Sequence, residues 1–430
     1  LGVGAIVVVS MTILQALTLL PAVIGLAGDR IFSLRIPLLK QRTAQQQSVE
    51  GFWAGLARMV MRRPAVSLIA ATAVLVLAAL PLTQIETGFS GVSTLPDKFE
   101  AKEGFEVLGE EFSAGQSGPV QIVIDAPGGI DPAVERAAAD LGVLISADEG
   151  FGPAGSLQLA EEPNLALLAA PMAGDPSSEE SYDAIERLRE ELVPQAFAGV
   201  DAGVFATGRS AGDVDFIDQL NTFLPIEFAF ILILSFFLLM LAFRSIVIPL
   251  KSIALNLLSV AAAYGLLVLV IQLGVGNEIF GFEQVDKIEP WIPLFLFAIL
   301  FGLSMDYQVF LVSRIQERYL QSHDNREAVA WGVGTTARLI TGAALIMVAV
   351  FGGFALGQLV TFQQMGFGLA VAILIDATIV RAVLVPSAMT LLDRWNWYLP
   401  AWLDWIPHVG VEGDVAQITA EVEEDRELAL

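Results

Sequence analysis

The 430-residue sequence contains no cysteine and only two histidines, His323 and His408. The first absence removes disulfides, thiolate zinc sites, iron–sulfur clusters and cysteine nucleophiles together. The second makes a histidine-rich metal site or a histidine-based triad untenable, because the two lie far apart in stretches that read as polar loop and tail. No G-x-x-x-x-G-K-[ST] phosphate loop occurs, which excludes ATP hydrolysis by that route. The glycine-rich stretch GVGTTARLITG (332–342) carries no such lysine. The string GRSAG (Gly208–Gly212) fits G-x-S-x-G, but a nucleophile elbow needs a triad histidine, which the two histidines do not offer. Nothing indicates an enzyme, a cofactor or a metal ion.

Charge is scarce too. Only 16% of residues are charged and 55% are hydrophobic, against about 25% and 45–50% in soluble domains. Too few polar side chains remain to cover a soluble surface, so the composition reads as a polytopic membrane protein. Lys and Arg number 23 against 47 Asp and Glu, a net charge of -24. That balance argues against nucleic-acid binding, which needs basic stripes to displace counterions.

Apolar runs near the roughly 20 residues that cross a bilayer recur at Val3–Ala27, Ala65–Leu82, Phe223–Phe243, Ile248–Leu273, Pro290–Val312, Leu339–Leu359 and Phe367–Leu391. Between the second and third lies a hydrophilic insert, Ile85–Leu220, with 26 acidic and 6 basic residues. Positive loops are retained in the cytoplasm. Arg30, Arg35, Lys40, Arg42, Arg58, Arg62 and Arg63 in the segment Gly28–Pro64 place it inside, as Arg244 and Lys251 place the turn between spans three and four. Alternation then puts Ser313–Arg338 and the C-terminal tail inside, and the insert and Gly274–Glu289 outside. The chain divides into a first span (1–27), a cytoplasmic linker with an interfacial helix at Glu50–Arg63 (28–64), a second span (65–84), an extracytoplasmic domain (85–220), a five-helix region (221–392) and a cytoplasmic tail (393–430).

Within the insert, strand-like runs at Pro119–Ala126, Ser156–Ala160, Ala166–Pro171 and Ala202–Thr207 are separated by helical patterns at Asp131–Ala147 and Ser177–Leu192. Asp131 before Pro132, and Ser178 before Ser181, read as helix starts. The order β-α-β-β-α-β is the split, ferredoxin-like motif. A short repeat joins the ends: LTLLPAVIGLAGDRI (Leu17–Ile31) and AVLVPSAMTLLDRWN (Ala382–Asn396) align on Pro21 and Pro386. It makes span one the last helix of an earlier repeat and spans two to seven a six-helix repeat, so the sequence reads as the C-terminal part of a longer protein.

Ionisable groups in hydrocarbon are costly and mark function. Asp306, in FGLSMDYQVFLVSR of the fifth span, shares a helical face with Gly302, Leu303, Val309 and Phe310. Gly302 allows close approach of another helix, and the Tyr307 hydroxyl can share a hydrogen bond with a partner carboxylate. A carboxyl group in such surroundings can exchange protons near neutral pH; the plainer reading is a structural hydrogen bond between helices. Asp376 and Arg381, five residues apart in the last span, read either as a structural pair or as a relay. Glu227 and Glu289 read as solvated at the interface. Trp395, Trp397, Trp402 and Trp405 read as headgroup anchors, and the acidic segment Glu412–Glu427 as a disordered tail.

These residues carry a resemblance. FGLSMDYQVFLVSRIQERY (Phe301–Tyr319), DATIVRAVLVPSAMTLLDRWNWYLP (Asp376–Pro400) and VDFIDQLNTFLP (Val214–Pro225) resemble the MMPL family (mycobacterial membrane protein large) of the resistance-nodulation-division superfamily. The resemblance implies that span one is the sixth helix of the family, that the others are helices seven to twelve, and that the insert is the second porter domain. It also implies a proton relay from two Asp-Tyr pairs on the fourth and tenth helices, of which Asp306 and Tyr307 are the tenth-helix pair. Gly302 and Phe310, one turn to either side of Asp306, then line the channel. The implied activity is proton-driven export of lipids or other hydrophobic molecules across the bacterial plasma membrane. Its partners are the substrate, protons and the missing N-terminal repeat, and the spans are also compatible with a homo-oligomer. The rival reading is a membrane sensor or scaffold that binds a sterol-like lipid without net transport.

Overall fold

Long apolar helices dominate, as the composition requires, and among the described residues seven are long and apolar enough to cross a membrane. The structure, a computed structural model, describes residues 2–28, 52–96, 98–403 and 405. The first basic cluster (Arg30, Arg35, Lys40, Arg42), His408 and the acidic segment Glu412–Glu427 therefore lie outside the described residues. Helix α1 (Gly2–Ala27), with Pro21 inside it, belongs to a unit of its own. Everything below concerns the second unit.

Helix α2 (Phe52–Arg62) precedes α3 (Pro64–Ala79), which tightens into a 3-10 turn through Gln84. A helix is present where an interfacial one is expected, and the face it buries is Ala54, Ala57, Val60 and Met61, while Phe52 and Met59 are exposed. The small alanines allow closer approach to the neighbouring helix than the larger side chains that suggested the apolar face.

The insert builds one antiparallel sheet in the order β2-β3-β1-β4. Its elements are α4 (Glu100–Glu111), β1 (Val120–Asp125), α5 (Pro132–Ala147), β2 (Gln158–Leu159), β3 (Leu165–Ala170), α6 (Glu179–Arg187) and β4 (Gly203–Thr207). Strand β1 pairs Ile122 with Leu168 on one side and with Ala206 on the other. Its buried Val120, Ile122 and Ile124 alternate with more exposed residues, the period of a sheet with one face covered. The covering face comes from Val134, Ala137, Leu141 and Ile145 of α5 and Ile185 of α6. Asp131 caps α5 by accepting from the amides of Ala133 and Val134, and Ser178 caps α6 by accepting from Ser181. Arg187 donates to both carboxylate oxygens of Asp148, and that hydrogen bonding holds Asp148 below the usual carboxylate range. Its stabilisation is present above the unfolded pKa of about 3.9 and is lost as acid carries the pH down through the folded value.

The remaining long helices are α7 (Arg209–Phe243), α8 (Val247–Leu267, continued by a π turn to Gln272), α9 (Ile292–Ser322), α10 (Asn325–Ala355) and α11 (Val360–Ile375, continued by Asp376–Leu384 and Val385–Leu392). The basic loop expected at Ser313–Arg338 is a correction: α9 and α10 run through it and leave only His323 and Asp324 as the turn. Hydropathy marks only the apolar part of a helix, and here the helices outrun it. The sixth apolar run likewise ends early, because α10 stops at Ala355 and α11 begins at Val360. Helices α8, α9 and α11 hold the centre, with Leu267, Val268, Leu296, Phe297, Leu369 and Ala372 in one core. Two glycines permit close backbone approaches within the bundle. A Cβ on Gly265 would run into the Ala78 carbonyl of α3, and one on Gly366 into the Ala355 amide of α10. Small residues at such crossings are how apolar helices pack when burial from water gives no drive.

A clamp ties the insert to this bundle. The strand-like stretch at Thr87 pairs in parallel with Ile288, whose amide donates to the Glu86 carbonyl at 2.8 Å. Glu289 is a second correction, for it is buried rather than solvated. Its carboxylate accepts from the Ser90 amide at 3.0 Å and from the Thr361 hydroxyl at 3.3 Å. Gln364 of α11, fully buried, accepts from the Glu289 amide and donates to the Lys287 carbonyl. Gln272 at the end of α8 accepts from the Glu86 amide and donates to the Gln84 carbonyl. Replacing Glu289 with Ala would strand the Ser90 and Thr361 donors. The expected result is a loss of about 1–3 kcal/mol, read as a lowered thermal midpoint in detergent, with Glu227→Ala at an exposed position changing little.

Candidate functional site

Helix α9 presents two faces with different chemistry. Ser304, Gln308 and Leu311, spaced four and three residues apart, point inward and are buried. Gly302, Asp306 and Phe310, spaced four apart, lie exposed along the opposite side, with Leu303 and Val309 half-buried at its edges. The face read from sequence therefore exists. The Asp306 carboxylate has no hydrogen-bond or ion-pair partner among the described residues. Tyr307 sits between the two faces. Its hydroxyl lies 3.3 Å from the Met347 sulfur of α10, not on a carboxylate. Its ring is 5.1 Å from the Arg381 guanidinium carbon, within the range of a cation–π contact.

The inner face meets the last span, and there the backbone decides the geometry. Asp376–Leu384 is π-helical, with hydrogen bonds that step five residues instead of four. Residues five apart then stack on one side, so Asp376 and Arg381 close into an ion pair: Arg381 donates to Asp376 Oδ2 through Nε at 3.1 Å and Nη2 at 2.9 Å. An α-helix would have splayed them. Both are buried. Arg381 Nη2 also donates to the Ser304 carbonyl at 2.7 Å, and the Ser304 hydroxyl lies 3.0 Å from Asp376 Oδ1 and 2.8 Å from the Asn256 amide oxygen of α8. One hydroxyl carries one proton, so Ser304 donates to only one of these oxygens at a time. One turn further along, Gln308 donates to Ser252 of α8 at 3.0 Å.

The result is a polar seam through an apolar bundle. The last span lends Asp376 and Arg381, α9 lends Ser304 and Gln308, and α8 lends Asn256 and Ser252. Asn256, Ser304, Tyr307 and Asp376 line a cavity of about 20 Å³, which is room for one water molecule. Arg381 Nη1 and Asn256 Nδ2 are buried with no hydrogen-bond partner among the described residues. Buried polar atoms of that kind are expensive, and two of them flank this ion pair. Ser304, Gln308, Asn256 and Ser252 were not singled out from sequence. Their signal is the four-residue spacing of polar groups within two apolar spans, Ser252 to Asn256 and Ser304 to Gln308. Among the described residues no group of His, Cys, Asp and Glu could hold a metal ion.

The aromatic residues past the last span differ in exposure. Trp395, Trp402 and Trp405 are more than half exposed, whereas Trp397 is half-buried and stacks on Tyr319 at 5.3 Å.

Comparison with known proteins identifies the family of the chain. Over 422 residues the chain is 36% identical to the mycolic acid-containing lipids exporter MmpL11 of Mycolicibacterium smegmatis, covering 97% of this chain and 44% of that protein. It is 38% identical over 408 residues to the heme uptake protein MmpL11 of Mycobacterium tuberculosis strain H37Rv, with 94% and 41% covered. To the trehalose monomycolate exporter MmpL3 of M. smegmatis it is 30% identical, with 92% and 42% covered. The chain thus spans under half the length of these relatives. The sequence profile of the MMPL family matches residues 94–405, and with that match across most of its length the chain belongs to the MMPL family, transporters of the resistance-nodulation-division superfamily.

Proposed function

We propose that this chain is the energy-coupling half of a transporter that exports lipids or other hydrophobic compounds across the plasma membrane at the expense of the proton-motive force, without altering its cargo chemically. The observation that carries the reading is the placement of Asp306. It is an acidic group in a membrane-spanning helix, without a partner among the described residues on an exposed face, with Ser304 on the inner face of the same helix and the Asp376–Arg381 pair of the last span against it. A charge in that position is retained only for use. The face Gly302–Asp306–Phe310 would meet the matching helix of a first repeat, which in this family bears the second Asp-Tyr pair. Protonation of Asp306 would remove the charge that holds α9 away from that partner. Movement of α9 and the last span would then reach the insert, read here as an extracytoplasmic porter domain, through the Gln364–Glu289–Ser90 clamp.

The distribution of Lys and Arg supports placing the α9–α10 turn and the C-terminus in the cytoplasm. Lipid cargo is favoured by the printed names of two relatives, a mycolic acid-containing lipids exporter and a trehalose monomycolate exporter. The test is export by the complete protein in energised inverted vesicles, before and after a protonophore. Export should fall to background when the gradient collapses. A lipid-dependent signal that survives collapse would instead support a sensor or scaffold, and heme-dependent proton flux with no lipid response would assign the cargo named for the M. tuberculosis relative.

A further inference from the structure

At the end of the bundle opposite the insert, where α3 begins and α9 turns into α10, lies a pocket with no role in the seam. It has a volume of about 380 Å³. Arg58 and Arg62 of α2, Arg318 of α9 and Arg326 of α10 line it, against a single carboxylate, Glu327. Glu327 is already engaged, since Arg318 donates to it through Nε at 3.1 Å. Arg62 and Arg326 are exposed and have no ion-pair partner among the described residues. The rest of the lining includes Met61 and Trp331. The pocket is therefore cationic at its polar side and apolar beside it.

Helix α2 explains why the two are adjacent. It is amphipathic and docked by its alanine face, yet it leaves Phe52 76% and Met59 67% exposed. Large apolar side chains held outward on a short basic helix are stable where that helix lies in a membrane interface. The pocket mouth then opens at headgroup depth. Unpaired guanidinium groups there match phosphate oxygens in geometry as well as charge, and apolar lining matches the glycerol and the first acyl carbons. Free phosphate would use the arginines and leave the Met61 and Trp331 side without a partner.

We infer that this pocket is a binding site for the phosphodiester headgroup of an anionic phospholipid, of the phosphatidylglycerol class, with Arg62 and Arg326 as its main contacts. Occupancy pins α2 to the α9–α10 turn and so fixes the end of the helix that carries Asp306. The site is independent of transport, so Asp306→Asn retains it.

The experiment is native mass spectrometry of the purified chain taken from vesicles with equal phosphatidylglycerol and phosphatidylcholine. Wild type should retain phosphatidylglycerol in excess. The double variant Arg62→Gln/Arg326→Gln should lose about tenfold or more of that preference, as two arginine contacts near a membrane surface imply. The control Arg63→Gln/Arg394→Gln, equal in charge and outside the pocket, should keep it. The single variants Arg62→Gln and Arg326→Gln, which disturb the helix ends less, should each lose part of it. Equal retention of the two lipids by wild type overturns the assignment, as does a preference that falls alike in the double variant and the control. Displacement of phosphatidylglycerol by excess inorganic phosphate overturns the lipid assignment in favour of a simple anion site.

Discussion

Asp306→Asn in the complete transporter should reduce proton-coupled export to background while leaving the protein folded. The substitution keeps the size and polarity of the side chain and removes only its ability to bind and release a proton. Because Asp306 is exposed on α9 and has no partner among the described residues, its stability cost should stay within about 0.5 kcal/mol. That separation makes the variant informative: a structural hydrogen bond would lose stability and flux together, whereas a proton carrier loses flux alone. Asp306→Glu is the companion measurement. It restores a carboxyl group one methylene further out and should recover part of the flux. Substrate-stimulated proton movement in proteoliposomes, with expression and melting temperature alongside, reads all three proteins. Undiminished flux in Asp306→Asn would end the proposal that this group couples transport.

How much of this was legible beforehand depends on which physical rule each element obeys. The spans were readable because hydrocarbon imposes length and composition on a helix, and the insert because its strands alternate and its helices start at Asp131–Pro132 and Ser178. Helix ends were less so: the basic residues Arg314, Arg318, Arg326 and Arg338 suggested a loop, but they sit on the polar ends of α9 and α10. Asp306 stood out as a lone acid in an apolar run. The strength of the Asp376–Arg381 pair did not, since a spacing of five suits no α-helical face and only the π-helical backbone closes it. Glu289 reads from sequence as an interfacial charge. Its burial follows from Gln364 and Ser90, which lie 75 and 199 residues away in the chain. No local pattern announces partners at such separations.

Arg381→Met should be the most destabilising single change in the seam. It leaves the Asp376 carboxylate buried without its counter-charge, and removing one member of a buried pair costs about 3–5 kcal/mol. It also removes the donor to the Ser304 carbonyl and the guanidinium beside the Tyr307 ring. Asp376→Leu should do comparable damage, stranding the arginine instead. The decisive protein is the double variant Asp376→Leu/Arg381→Met. Replacing both partners of a buried ion pair by apolar groups of similar volume is often neutral or stabilising, so thermal stability should return close to wild type. If the pair is only a strut, export returns with it. If the pair responds to the charge on Asp306 through Ser304 and Tyr307, the double variant is a well-folded protein that does not export. We expect the second outcome, because a strut has no use for a serine whose single proton is shared between Asp376 and Asn256, nor for an unpaired Arg381 nitrogen kept in the core. The cycle, melting temperature on one axis and export on the other, separates two readings that single substitutions at either position confuse.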